Sequence, residues 1–261
     1  MAGYYTLEVT NPVVALEASA SAYLIGGAKY VTLSPGAVKV IAEFGDGSKA
    51  PLTTSQFTVA FTEDKIVYEG TPGTYEDAFT VTYKSASGKE ITAEGDFVIA
   101  ASEHAAQDPK LVGLEDNSTP WWAHFSKDWT IAPYTSQTVS MKLYSKAEAN
   151  YHGPSVVLRK ADNSEYGVLR LDHWGWGASV GEGCPLITAT SNWNWDTYLT
   201  NLNNSDVAVT ITNNGDNTAS VRYHIVHANG ETHFQHYDGI EIDSTDFQFA
   251  IVVDSSHLIF D

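Results

Sequence analysis

Arg170, Asp172 and Trp174 alternate with Leu169 and Leu171 along the stretch YGVLRLDHWGWG. Successive side chains of an extended chain point to opposite faces. The leucines then face a core, and the other face carries a cation, an anion and an indole in a row. Such a face suits a sugar: the indole covers a pyranose ring and the charged pair hydrogen-bonds its hydroxyls. The competing reading is a structural Arg–Asp pair with a Trp packed over it. Trp176, Trp193 and Trp195 follow in flanking sequence. Trp193 and Trp195 are two apart and alternate with Asn192 and Asn194. Indoles beside side-chain amides suit a sugar subsite. Trp193 is the expected contact, whereas Trp195 is expected to be partly structural, opening a helical turn with Tyr198 and Leu199.

Trp121 and Trp122 are adjacent, so on a strand over 121–125 they face opposite ways. Trp121 shares its side with Ala123 and Phe125 and reads as core. Trp122 shares its side with His124 and reads as exposed, which makes both Trp122 and His124 candidates for the binding face. Tyr151 and His152 precede Gly153-Pro154 at a strand entrance, where they would rim the site or simply form a loop. Trp129 has no period that assigns it to a face, and packing is its expected role.

Other chemistry is less well supported. His224, His227, His233 and His236 flank Asn229-Gly230. A two-residue turn there would pair Val226 with His233 and His224 with Gln235, leaving at most two histidines close on each face. Zinc wants three or four converging ligands, so no metal site is expected. The run Glu241-Ile242-Asp243-Ser244-Thr245-Asp246 has the alternating acids of some glycosidase strands, but Asp243 to Asp246 reads as a turn. The remaining carboxylate pairs for a hydrolase or lyase are Asp172 with Glu182 or with Asp196. No phosphate loop, nucleophile elbow or His-Glu-x-x-His run occurs. Binding without catalysis is the expected activity; a glycosidase and a protein-adhesion module with indole anchors are the rivals.

Composition narrows the partners. Lys and Arg total 14 against 32 Asp and Glu, a formal charge of −18. Nucleic acid, anionic membranes and polyanionic glycans would be repelled, and neutral glycans would not. The single cysteine, Cys184, excludes an internal disulfide. No apolar run is long enough to span a bilayer. The start MAGYY reads as trimmed or recombinant, which leaves room for a removed secretion signal.

The elements that must carry these residues are strands. The segments 5–9, 13–16, 38–44, 57–61, 65–68, 78–83 and 91–99 are short and apolar or alternating, with turns at Asp46-Gly47 and Ser87-Gly88. They fit an immunoglobulin-like sandwich over residues 1–102. A polar stretch over 101–109 reads as a linker. All seven tryptophans lie beyond it, which places function in residues 110–261. There 111–114, 121–125, 137–144, 155–159, 166–174, 207–213, 219–227, 232–237, 247–253 and 257–260 read as strands, and 195–202 as the one helical turn. The fold class is all-β, two β-sandwich domains in series, the second a jelly roll.

Two resemblances agree with this division. VKVIAEFGDGSKAPLT and FTVTYKSASGKEITAEGDFVI resemble bacterial Ig-like modules of secreted proteins, which act as spacers. WWAHFS, the VVL…EYGVLRLDHWGWG block, NWNWDTYL, VAVTITNNGDNTASV and FQFAIVVDSSHLIF resemble a family of non-catalytic jelly-roll modules. Those are attached to glycan-degrading and glycan-binding proteins of gut bacteria. Many relatives carry Trp-Asn-Asn before the VVL strand, where this chain has Asn150-Tyr151-His152-Gly153. The resemblance implies an extracellular or cell-surface protein that binds a polysaccharide such as a β-glucan, beside an attached or co-localised glycan-degrading enzyme. It implies no cofactor beyond a structural calcium, for which no ligand set is identifiable.

Overall fold

The computed structural model describes residues 11–25, 28–101, 110–172, 175–177, 186–188 and 195–261. The expected strand over 5–9 and nearly all of the 101–109 linker lie outside them. The described chain is almost entirely β. The first half contributes β1 (Val13–Ile25), β2 (Tyr30–Thr32), β3 (Val38–Phe44), β4 (Lys49–Leu52), β5 (Phe57–Phe61), β6 (Val67–Glu69), β7 (Gly73–Lys84) and β8 (Glu90–Ala101). The second half contributes β9 (Leu111–Gly113), β10 (Trp129–Thr130), β11 (Thr135–Ser145), β12 (Pro154–Arg159), β13 (Glu165–Arg170), β14 (Gly175–Gly177) and β15 (Leu186–Thr188). After α1 (Trp195–Leu202) come β16 (Ser205–Asn213), β17 (Thr218–Val226), β18 (Thr232–Glu241), β19 (Gln248–Val253) and β20 (Ser256–Phe260).

Period-two burial builds two cores. Val38, Val40 and Ala42 of β3, Phe79 and Val81 of β7, and Phe97 and Ile99 of β8 close the first. In the second, Val139, Met141 and Leu143 of β11 and Val207, Val209 and Ile211 of β16 lie on one sheet. Val156 and Leu158 of β12 and Phe249, Ile251 and Val253 of β19 meet them from a five-stranded sheet ordered β10-β19-β12-β13-β14. Leu169 and Leu171 are buried in this core, as the alternation requires.

The two halves share one sheet. β1 pairs antiparallel with β3 over its first part and parallel with β8. Its last four residues, Ala22 to Ile25, pair parallel with Ser136 to Val139 of β11. Leu24 packs in the first core, and Ile25, the next residue and so on the opposite face, packs in the second. Beside this seam the first half lies on a row of small hydroxyl residues: the Lys29 N–H donates to Ser140 Oγ at 2.9 Å and the Thr32 N–H to Thr210 Oγ1 at 3.2 Å.

Candidate aromatic binding face

The five-stranded sheet has an outer face as well as a core face. Val157 of β12, Val168 of β13 and Val252 of β19 lie on it, one residue out of step with the core set. These valines are nonetheless fully buried, because Trp121 and Trp122 pack over them.

The expected strand over 121–125 is not formed. Residues 121–123 turn, and only Phe125 bridges to the sheet, opposite Val252. Trp122 takes a left-handed φ of 62°, which for a bulky L-residue costs about 1–2 kcal/mol and marks a site held by its surroundings. That turn corrects the expected division into a core Trp121 and an exposed Trp122. The two indoles do not face opposite ways: they stack, centroids 4.6 Å apart and planes at 15°, and both are half-buried. Trp122 in turn stacks on exposed Phe125 at 5.2 Å. The segment is tied down just beyond by the Ser126 N–H to Ile251 C=O and the Ile251 N–H to Ser126 Oγ, both 2.8 Å. His124 is exposed beside the stack.

An arginine stands on each side of these aromatics. Arg159 ends β12, and its guanidinium lies 5.3 Å from the Phe125 ring centre. It donates to Asp128 Oδ1 from Nε at 2.7 Å and pairs with it through Nη2 at 2.6 Å. Arg170 ends β13 opposite Ser155, 5.7 Å from the ring centre of exposed Tyr151. Its Nε donates to Asp172 Oδ1 at 2.8 Å and its Nη2 pairs with Oδ2.

Asp172 corrects a second expectation. β13 stops at Arg170, and residues 171–172 turn, so the alternation that would expose Asp172 does not reach it. Its side chain has 0% exposure, and it holds Arg170 rather than presenting itself to a ligand. Together with burial, which is the larger cause, the Asp172 charge pushes the hydroxyl of Tyr198 in α1 well above the usual tyrosine range. This burial also removes Asp172 as an open partner for a catalytic pair; Asp196 is exposed in the first turn of α1, and Glu182 lies outside the described residues.

His152 is a third correction. It is buried at 8% exposure, because Ser145 Oγ bonds its carbonyl at 2.7 Å and pulls the loop inward. Tyr151, edge-on to it at 4.9 Å, remains the exposed member. Trp174 and Trp193 lie outside the described residues. Trp176 pairs with Val168 across β13 and β14, and Trp195 opens α1. The sequence reading put Phe125 in the core beside Trp121, which its exposure corrects, and it singled out neither Arg159 nor Asp128. The signal was present in Arg159 ending the VVLR strand two residues beyond Val157, on the same face.

Elsewhere the histidine hairpin is shifted by one residue. His224 pairs with Phe234 and Ile225 with His233, because His227 closes on Glu231 around a longer loop. His224 stacks on Phe234 at 4.7 Å and meets Tyr30 of β2 edge-on at 4.8 Å. Among the described residues no group of three or more His, Cys, Asp or Glu is placed to hold a metal ion. Asp243 to Asp246 form the expected turn, the Asp246 N–H bonding Asp243 C=O at 3.1 Å.

No family model matches this chain, and no curated protein matches it. A solved structure titled "Structural basis for the promiscuous specificity of the carbohydrate-binding modules from the beta-sandwich super family" aligns at 12% identity and a TM-score of 0.19. The alignment covers 95% of this chain and 99% of that one. At that TM-score the two chains do not superpose as wholes, and the functional reading rests on this chain's own residues.

Proposed function

We propose that this protein binds a neutral polysaccharide, such as a β-glucan, without turning it over, on the outer face of the five-stranded sheet. The observation that carries the reading is the Trp121–Trp122–Phe125 stack, laid half-open on a sheet face between two Arg–Asp pairs. Aromatic faces cover the apolar faces of sugar rings, each adding about 1 kcal/mol beyond area burial. Tyr151, His124 and Arg170 supply polar edges for hydroxyls. Trp174, Trp176, Trp193 and Trp195 belong to the proposal from the sequence, since the segment that carries them leaves the edge of this same sheet at β14. A few such contacts, after ordering costs, give modest affinity, roughly micromolar to millimolar. In the same proposal the first half is a spacer, and the protein works at or outside the cell surface beside glycan-degrading enzymes.

Affinity electrophoresis of the full chain over neutral glucans and mannans, followed by titration calorimetry, tests this. Trp122→Ala and Trp174→Ala should each weaken binding at least tenfold while circular dichroism stays that of a β-protein. Leu171→Ala should instead destabilise by about 2–5 kcal/mol, as core truncations do, and still bind while folded. Retention by no neutral polysaccharide, or wild-type binding by Trp122→Ala, would overturn the reading.

A further inference from the structure

The two arginines beside the aromatic stack are not free cations. Arg159 lies against Phe125, with Asp128 on both Nε and Nη2. Arg170 lies against Tyr151, with Asp172 on the same two nitrogens. The arrangement occurs twice. Each guanidinium ends a strand, is backed by an aromatic ring and is met through its fork by one carboxylate. Arg170 sits opposite Ser155, four residues from Arg159 along β12, a stretch of about 13 Å at the strand rise with Val157 in its middle. Side-chain exposure is 14% for Arg159 and 22% for Arg170.

A fork of this geometry is what recognises a carboxylate or sulfate on an acidic glycan. Here each fork is already filled from within. We propose that Asp128 and Asp172 are specificity-determining residues: they cancel Arg159 and Arg170 and so make the face select neutral glycans over uronic or sulfated ones. The inference rests on the glycan-binding reading above and adds to it a discriminating device that acts at the site, separate from the overall charge of −18. Discrimination built by withholding a partner from the wrong ligand is a general route to specificity.

Asp128 is the testable half, because its side chain is a third exposed and supports no core. Asp128→Asn keeps its shape and removes the charge that cancels Arg159, leaving a neutral amide that a carboxylate can displace from the fork. The probes are polygalacturonate and a neutral β-glucan retained by the wild type, titrated at low and high salt. Asp128→Asn should gain at least tenfold in affinity for polygalacturonate at low salt and lose that gain at high salt as charge pairing is screened. The double variant Asp128→Asn/Arg159→Gln should return to wild-type indifference. Asp64→Asn, which removes one negative charge from the first half, should gain little. If Asp128→Asn ignores polygalacturonate as the wild type does, or if its gain persists in the double variant, the inference fails while the glycan-binding reading stands. If the wild type retains no neutral glycan while Asp128→Asn gains nothing, both fail together.

Discussion

Tyr223 shows how single side chains hold the proposed face from behind. It rises from β17 across the sandwich, where its hydroxyl donates to Leu169 C=O at 2.7 Å and accepts the Val156 N–H at 3.0 Å. Tyr237 does the same one residue on, donating to Arg170 C=O at 2.6 Å. Both bonds fix the end of β13 that carries Arg170. Burial pushes the Tyr223 hydroxyl far above the usual tyrosine range, so it stays a donor at any working pH. Tyr223→Phe leaves a buried N–H and a buried C=O short of a partner, and each such group costs about 1–3 kcal/mol. A chain of this length loses about 2–4 °C in melting temperature per kcal/mol, so a drop of several degrees is expected by calorimetry. An unchanged melting temperature would show that the bridge contributes nothing. None of this was legible beforehand, since a tyrosine's partner across a sandwich is more than fifty residues away in the chain.

Turns, by contrast, are written locally, and one kind recurs. FGDGS, SASGK, KADNS, NGDNT and HANGE each close by a bond from the first N–H to the fifth C=O. Their fourth residues, Gly47, Gly88, Asn163, Asn217 and Gly230, are all left-handed. In four of them the side chain of the third residue, Asp46, Asp162, Asp216 or Asn229, caps the fifth N–H. This is the three-residue hairpin loop with a bulge. Reading HANGE as a two-residue turn slips the register by one, and a one-residue slip moves every side chain to the other face. The true register brings Phe234 and His236 to the face of β17 that carries His224 and Arg222, and His224 lies there between Phe234 and Tyr30. Burial lowers its pKa from 6.5 to about 4, and burial also lowers His227, His236 and His257. The folded state therefore resists protons that the unfolded chain takes up. This contribution is complete above pH 6.5 and is lost as pH falls from 6.5 towards about 4. The turn carboxylates Asp46, Asp116, Asp162 and Asp243 are held low chiefly by hydroxyl and backbone donors, so their contribution is lost only below the usual Asp range. Melting temperature should fall in two stages on acidification. His224→Phe should flatten the upper one, and a variant as steep as wild type between pH 6.5 and 4 would assign that stage to the other histidines.

At the scale of the whole chain, β1 decides how the halves relate. It lends Ala22 to Ile25 to the free edge of β11, and Ile25 to the second core. An expressed fragment of residues 110–261 would fold around its own core, but with Ser136 to Val139 as an unpaired edge, the kind that templates association. We expect it to melt below the full chain and to self-associate in size-exclusion chromatography, while keeping whatever glycan binding the full chain has. A monomeric fragment as stable as the full chain would show the seam to be dispensable.

What the sequence by itself determined follows from short-range rules. Alternation placed Leu169 and Leu171 inside, turn chemistry marked the hairpins, and tryptophan content drew attention to the second half. The pattern shows a first strand over only 13–16, whereas β1 runs to Ile25: alanines alternating with serines through ASASAY carry too little hydrophobic contrast to show a period, although Ala20 and Ala22 are buried. Only the tertiary structure decided the rest. It ended β13 at Arg170 and buried Asp172. It stacked Trp121 on Trp122 through a left-handed residue and brought Arg159 to Phe125. It also joined two separately legible halves into one sheet. Each depends on which distant surface a segment meets, and a local pattern contains no term for that.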